Sequence, residues 1–214
     1  MSQFLIHQDF QSQDWCTQLI QSPSIETIPW PSRPNPLPED HSCSLFAQTL
    51  NTDTGVRAGH AMWKSDSRGE DVGQALLLVS LGTGMNYYPE TLHGGMCAGL
   101  IDEGMGLLVF RKMGWATGVG SDTVTASIEI KLRGRIQTPG VCLIRAWADE
   151  EEAKKKGKKW TDMRKLWAKA TIEDGLGHIL MQARYCAAHL LSRFQIEDGE
   201  TLSVILGGRF RAGS

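Results

Sequence analysis

Asp102 lies midway through residues 96–110, an apolar stretch in which Glu103 is the only other charge. A carboxylate in such surroundings loses much of its hydration, at a cost of several kcal/mol unless it is paired or put to use. Nine positions earlier stands His93, which begins His93-Gly94-Gly95 where the apolar stretch opens. Glycines at a helix start leave backbone N–H groups free, and the helix dipole adds positive potential there. Aimed at a developing oxyanion, one such donor contributes about 3–4 kcal/mol in the transition state. Neither glycine carries a side chain to obstruct a substrate. A desolvated carboxylate and an oxyanion donor therefore lead the candidates for chemistry.

Other groups nearby compete with them. Glu103 points about 100° away from Asp102 and reads as structural or interfacial, with a reserve role as acid or base. Cys97 follows His93 by four residues, close to a helix start where thiolates are favoured. A Cys97/His93 nucleophile pair stands beside the simpler reading of a buried small hydrophobe. Gly99, Gly104 and Gly106 each cost about 1 kcal/mol against alanine inside a helix, so they mark close packing or room for a ligand.

These residues need a helix to hold them. The pattern predicts one starting near His93 and ending around residues 111–114, about 25–30 Å long and apolar all round, hence wrapped by other structure. Before it, residues 56–64 and 75–81 read as strands joined by the polar stretch 65–73. After it, Val124, Ala126, Ile128 and Ile130 alternate with Thr125, Ser127, Glu129 and Lys131, which predicts a half-buried strand with Thr125 on its polar side. Residues 141–148, 166–173 and 179–187 give three more strands. Asp174-Gly175-Leu176-Gly177 supplies a hairpin turn between the last two. Strands, one buried helix, then consecutive antiparallel strands make an α+β domain whose sheet curls around the helix.

Five of the eight prolines fall in residues 29–38, which reads as an extended linker. The expected organisation is an N-terminal extension over 1–50, the main domain over 51–194 and a tail over 195–214. A short helix is expected within residues 42–50, and the apolar run 202–206 has no assigned role. Residues 149–160 hold three glutamates and then five lysines. That run reads as a solvated, self-neutralising hairpin tip, with the sharper alternative that Lys154 to Lys159 meet the phosphates of a nucleotide-bearing substrate.

The 214 residues suit one domain with a substantial core. With 22 basic and 24 acidic residues, no strong field favours nucleic acid. No run is long enough to span a bilayer, and the N-terminus has no secretory pattern. Five cysteines without a Cys-x-x-Cys spacing fit reduced thiols, and the six histidines form no metal-binding spacing. A cytoplasmic domain without metal or cofactor is expected.

The order of elements, with His93-Gly94-Gly95, Asp102 and then Thr125-Ala126-Ser127-Ile128-Glu129-Ile130, resembles the hotdog-fold acyl thioesterases. Their phenylacetate-pathway type and the human thioesterase-superfamily members are the most similar subgroup. The likeness spans about residues 75–191. It implies an antiparallel sheet wrapped around one long helix, and hydrolysis of an acyl-CoA or similar thioester. In that family the helix Asp is general base or nucleophile, a strand Ser or Thr assists from the partner subunit, and a glycine amide binds the thioester oxygen. Those roles fall on Asp102, Thr125 and Gly94, with His93 shaping the loop. Gly95, Asn86, Tyr87 and Gly99 are the implied substrate contacts. The position where many relatives carry an asparagine is Tyr87, with Asn86 one further back. Tyr87, Tyr88 and Trp115 are candidates to line the acyl pocket.

The resemblance also implies a homodimer or a dimer of dimers. Two alternatives stand beside hydrolysis of acyl-CoA. One is processing of acyl chains on a carrier protein, as in the secondary metabolism that assembles polyketides. The other is non-catalytic acyl-thioester binding.

Overall fold

A computed structural model describes residues 6–66, 69–114 and 123–189. Two short helices, α1 (Gln8–Gln11) and α2 (Asp14–Ile20), precede a short strand β1 (Ile25–Thr27) and two long ones, β2 (Val56–Asp66) and β3 (Gly69–Leu81). A small hairpin, β4 (Asn86–Tyr88) with β5 (Thr91–Leu92), leads into helix α3 (Gly94–Met113). Then come β6 (Thr123–Leu132), β7 (Gly140–Ala148), a short helix α4 (Glu151–Lys155), β8 (Lys165–Glu173) and β9 (Ile179–His189). Trp115 and residues 195–214 lie outside the described residues.

Seven strands form one antiparallel sheet in the order β1-β2-β3-β7-β8-β9-β6. After β3 the chain makes the helix, lays β6 at the far edge, and fills the gap with β7, β8 and β9. The sheet thereby closes around α3, and this is the hotdog arrangement. Alternate residues of β7, β8 and β9, among them Ile144, Ala146, Leu166, Ala168, Ile172, Met181 and Tyr185, join Leu100, Ile101, Met105 and Leu108 of the helix in one core. Gly104 lets α3 approach β7: a Cβ there would stand 2.3 Å from the Ile144 side chain.

The residues 75–81 show no alternation because both faces of β3 are covered. Leu77, Val79 and Leu81 face the helix. Leu76 and Leu78 pack outward with Met62, Leu143, Phe10 and Cys16, so α1 and α2 lie on the outside of the sheet. Ser80, on the same outward side, donates to Asp9 at 2.6 Å, and Arg57 pairs with that carboxylate at 3.0 Å. The strands β2 and β3 also run beyond the expected polar join, pairing as far as Asp66 with Gly69.

The proline-rich stretch differs from a free linker. It runs as a strap from β1 onto the inner side of the fold, where Trp30 is only 8% exposed. Trp30 packs on Phe46 at 5.7 Å between centroids, within a short π-helical turn, Leu45–Thr49. Burying two large aromatic rings holds the strap down, and Gly59 of β2 leaves the room: a Cβ there would lie 2.1 Å from the Trp30 ring. The Glu/Lys run also departs from a bare tip. It folds as α4 and a 3₁₀ turn, Trp160–Asp162, whose Ala153 and Trp160 are buried while the lysine side chains remain exposed.

Candidate active site

Asp102 is midway along α3, and Thr125 is on β6. The Thr125 hydroxyl donates to Asp102 Oδ1 at 2.7 Å, and the Tyr185 hydroxyl on β9 lies 3.0 Å from Thr125 Oγ1. Since Thr125 gives its own proton to Asp102, Tyr185 donates to Thr125, and a chain of three groups ends on the carboxylate. The chain lines a cavity of about 220 Å³, bordered also by Pro31 and Ser32 of the strap and by Gly106. Asp102 Oδ2 has no protein partner among the described residues. A Cβ on Gly106 would meet nothing within 4 Å, so here the missing side chain leaves space, whereas at Gly104 it allows packing.

Strict alternation along β6 would turn Thr125 outward with Glu129, away from its own helix. A β-bulge prevents this. Thr125 pairs with Ala187 and Ser127 with Cys186, which leaves Ala126 as the extra residue. Beyond the bulge, Ile128 and Ile130 pair with the inward Tyr185 and Ala183; before it, Thr125 shares the inward side with Ala187. One inserted residue reverses the face. The expectation that Thr125 is offered to a partner subunit is therefore corrected: it engages Asp102 of its own chain.

Burial pushes the Asp102 carboxyl above the usual aspartate range, and the Thr125 hydrogen bond opposes this without reversing it. A carboxyl whose folded pKa exceeds its unfolded value stabilises the fold below the unfolded pKa and loses that contribution as pH rises through the folded pKa. Asp102→Asn should therefore melt at a higher temperature than the wild type at neutral pH. The difference should shrink as pH falls below the ordinary aspartate range. Thermal melts of both proteins across pH check this, and an unchanged or lower Tm at neutral pH would refute it.

Glu103 turns to the strap. It accepts from Trp30 Nε1 at 2.7 Å and from the Ser32 side chain, and burial raises its pKa as well. It ties strap to helix. Tyr185 and this tie were both missed in the sequence, although Tyr185 fell on the inward side of its strand, where a polar-tipped aromatic residue is a usable signal.

The remaining candidates gather at the start of α3. His93 caps the helix, accepting the Gly95 N–H on Nδ1 at 2.9 Å. Its ring thus shapes the loop, and Gly95 N–H is engaged. Gly94 N–H has no protein acceptor among the described residues, and a Cβ on Gly94 would touch nothing. Asn86 accepts from the Thr138 hydroxyl, and its backbone pairs with Leu92 beside the cap. Tyr87 is 66% exposed and packs edge-on against Tyr88 and His93, so it lines no part of the Asp102 cavity. Gly99 lies between the two groups, with a virtual Cβ 3.9 Å from Phe46. Cys97 is buried with its thiol pushed up to about 11 by desolvation, and His93 Nδ1 is held by Gly95, so no activated Cys/His pair forms.

No group of three or more acidic, His or Cys side chains able to hold a metal occurs among the described residues. No described helix is long and apolar enough to cross a membrane.

No protein-family model matches this chain, and no curated protein matches it. Among solved structures, zebra fish thioesterase superfamily member 2 is 18% identical, with a TM-score of 0.45 over 61% of this chain and 80% of that one. A hypothetical thioesterase protein of Streptococcus pneumoniae TIGR4, solved with coenzyme A, is 17% identical, with a TM-score of 0.44 over 55% of this chain and 81% of that one. A Streptococcus mutans UA159 protein bound to acetyl CoA is 16% identical, with a TM-score of 0.43 over 54% and 80%. The similar solved structures thus include proteins named as thioesterases and structures that hold coenzyme A or acetyl CoA.

Proposed function

We propose that this protein hydrolyses acyl thioesters, with Asp102 as general base. The observation that carries the reading is the carboxylate itself: half-buried, raised in pKa, fixed through Oδ1 by Thr125, and lining a small cavity. A base so held takes a proton from water on Oδ2 as the oxygen attacks the thioester carbon. The carbonyl electrons move onto oxygen, where a backbone N–H stabilises them. Collapse of the intermediate expels the thiolate, which recovers the proton from Asp102.

The donor for that oxyanion is Gly94 N–H, and it has to belong to a second copy. Gly94 and Asp102 are eight residues apart on one straight helix, so about 12 Å separates them along its axis. No single carbonyl reaches both. Two antiparallel helices from two copies would bring each Gly94 to the other's Asp102. The assembly this needs has an available seam, since β6 is a ten-residue edge with no strand partner on its outer side among the described residues. We therefore read the protein as a dimer or higher assembly, with Asp102 and Thr125 from one chain and Gly94 from the other. The substrate class is an acyl thioester carried by coenzyme A or by a carrier protein.

The test is release of free thiol, followed across pH. Hydrolysis should rise with pH through a limb above the usual aspartate range. Thr125→Val removes the bond that restrains the Asp102 pKa, so its limb should move to still higher pH. Binding of acyl thioesters without thiol release would replace hydrolysis by acyl binding, and a limb unmoved in Thr125→Val would exclude Asp102 as the titrating base.

A further inference from the structure

A second cavity, of about 480 Å³, opens where the C-terminal end of α3 meets the Glu/Lys insertion. It lies on the far side of the Asp102 chemistry, with Arg111 nine residues beyond Asp102, about 13.5 Å along the helix. Its walls combine Trp63 and Trp160 with Arg111, Lys112, Lys158 and Lys159. A fifth cation there, Lys154, pairs with the one lining carboxylate, Glu150, at 3.3 Å. The chain as a whole has a formal charge of −2, so this concentration of positive charge is local.

Two features set the cavity apart from an ordinary basic patch. Trp63 is 1% exposed, and its indole Nε1 has no acceptor among the described residues. The same holds for Arg111 Nε, although Arg111 Nη2 pairs with Glu26 at 3.1 Å and its Cζ stands 5.5 Å from the centre of the Trp63 ring. Buried donors without acceptors are costly, and both belong to residues that line this one cavity. By contrast, Trp160 Nε1 is satisfied by Trp167 O at 2.7 Å, and its ring carries Lys112 Nζ at 5.5 Å. The helix C-terminus opposes an anion with about half a negative charge, which the cations around it outweigh. Two N–H donors in need of an acceptor, on residues that share these walls with four lysines, fit an anion with several oxygens.

We infer that this cavity binds a ligand bearing two or more phosphoryl groups. Lys158 and Lys159, both exposed, supply positive charge, while Arg111 and Trp63 supply the N–H donors. Two sources share that chemistry: the nucleotide end of a coenzyme A thioester, and a free nucleotide acting as a separate ligand. Only the first of these rests on the proposed hydrolase activity.

The experiment uses the full-length protein and adenosine 3′,5′-bisphosphate, with binding read by calorimetry and by tryptophan fluorescence. Binding should weaken with salt, and by about tenfold or more in Lys158→Gln/Lys159→Gln, while Lys158→Arg/Lys159→Arg retains it. The same variants are then assayed on an acyl-CoA and on the corresponding acyl-N-acetylcysteamine, which has no phosphate. If the bisphosphate competes with acyl-CoA alone and the Gln variant raises KM for acyl-CoA alone, the site takes the substrate's own phosphates. If it binds through the lysines but leaves both hydrolyses unchanged, the site serves a separate phosphorylated ligand. If both thioesters are inert while lysine-dependent binding persists, the hydrolase reading falls and the phosphate site stands. Absence of bisphosphate binding, or binding indifferent to the Gln substitutions, overturns the inference.

Discussion

Asp102→Asn is expected to lower thioester hydrolysis by about 10²–10⁴ while leaving substrate binding intact. The amide keeps the size of the carboxylate, and its oxygen still accepts the Thr125 hydroxyl that fixes Oδ1. What disappears is the capacity of the second position to take a proton from water. Single-turnover rates and an equilibrium binding measurement separate the two effects. Near-native turnover in the variant would transfer the role of base to another group. Glu103 is a poor substitute because its carboxylate is held by Trp30 and Ser32.

The second large effect concerns which chain supplies which half of the site. Gly94→Pro deletes the one free N–H at the helix start with little strain. Proline is favoured at the first position of a helix, and His93 before it already has the extended backbone, φ −62° and ψ 136°, that a following proline requires. Loss of one oxyanion donor should cost about 10²–10³ in kcat. Refolding equal amounts of Gly94→Pro and Asp102→Asn together makes about half the pairs mixed, and one of the two sites in each mixed pair receives an intact Asp102 and an intact Gly94. Activity should therefore return towards a quarter of wild type. Asp102→Asn refolded with Thr125→Val should show no activity beyond that of the Thr125→Val sites it contains, because those two residues meet inside one chain. Recovery in the second mixture and silence in the first would invert the assignment.

The helix and its wrapping were legible because apolar residues all round α3 leave it nowhere to lie but inside a sheet. Asp102 stood out for the same reason, as a charge in that setting, and His93-Gly94-Gly95 announced both the helix start and its cap. The face of Thr125 was not legible. A bulge at Ala126 is decided by how β6 pairs with β9, and nothing in Thr125-Ala126-Ser127 distinguishes it from regular alternation. The strap was hidden in a different way. Prolines report local stiffness, whereas the position of this segment is set by Trp30 and Phe46 entering the core far along the chain. Gly59 carried a usable hint, since a glycine within a strand often marks the close approach of another group, here the Trp30 ring. Likewise the lysine run suggested solvent, and its anchor was the apolar pair Ala153 and Trp160.

The two borders of the sheet are unequal. One ends in β1, three residues long, and the other in the ten-residue β6. A sheet with two long bare borders is a template for unlimited growth, each added copy offering a fresh border to the next. In the proposed dimer, addition along β6 by a two-fold operation would consume the long border of both copies and leave outside only the border that β1 caps over three residues. In the proposed dimer the brevity of β1 would thus act as a chain terminator, favouring a finite assembly over a ribbon.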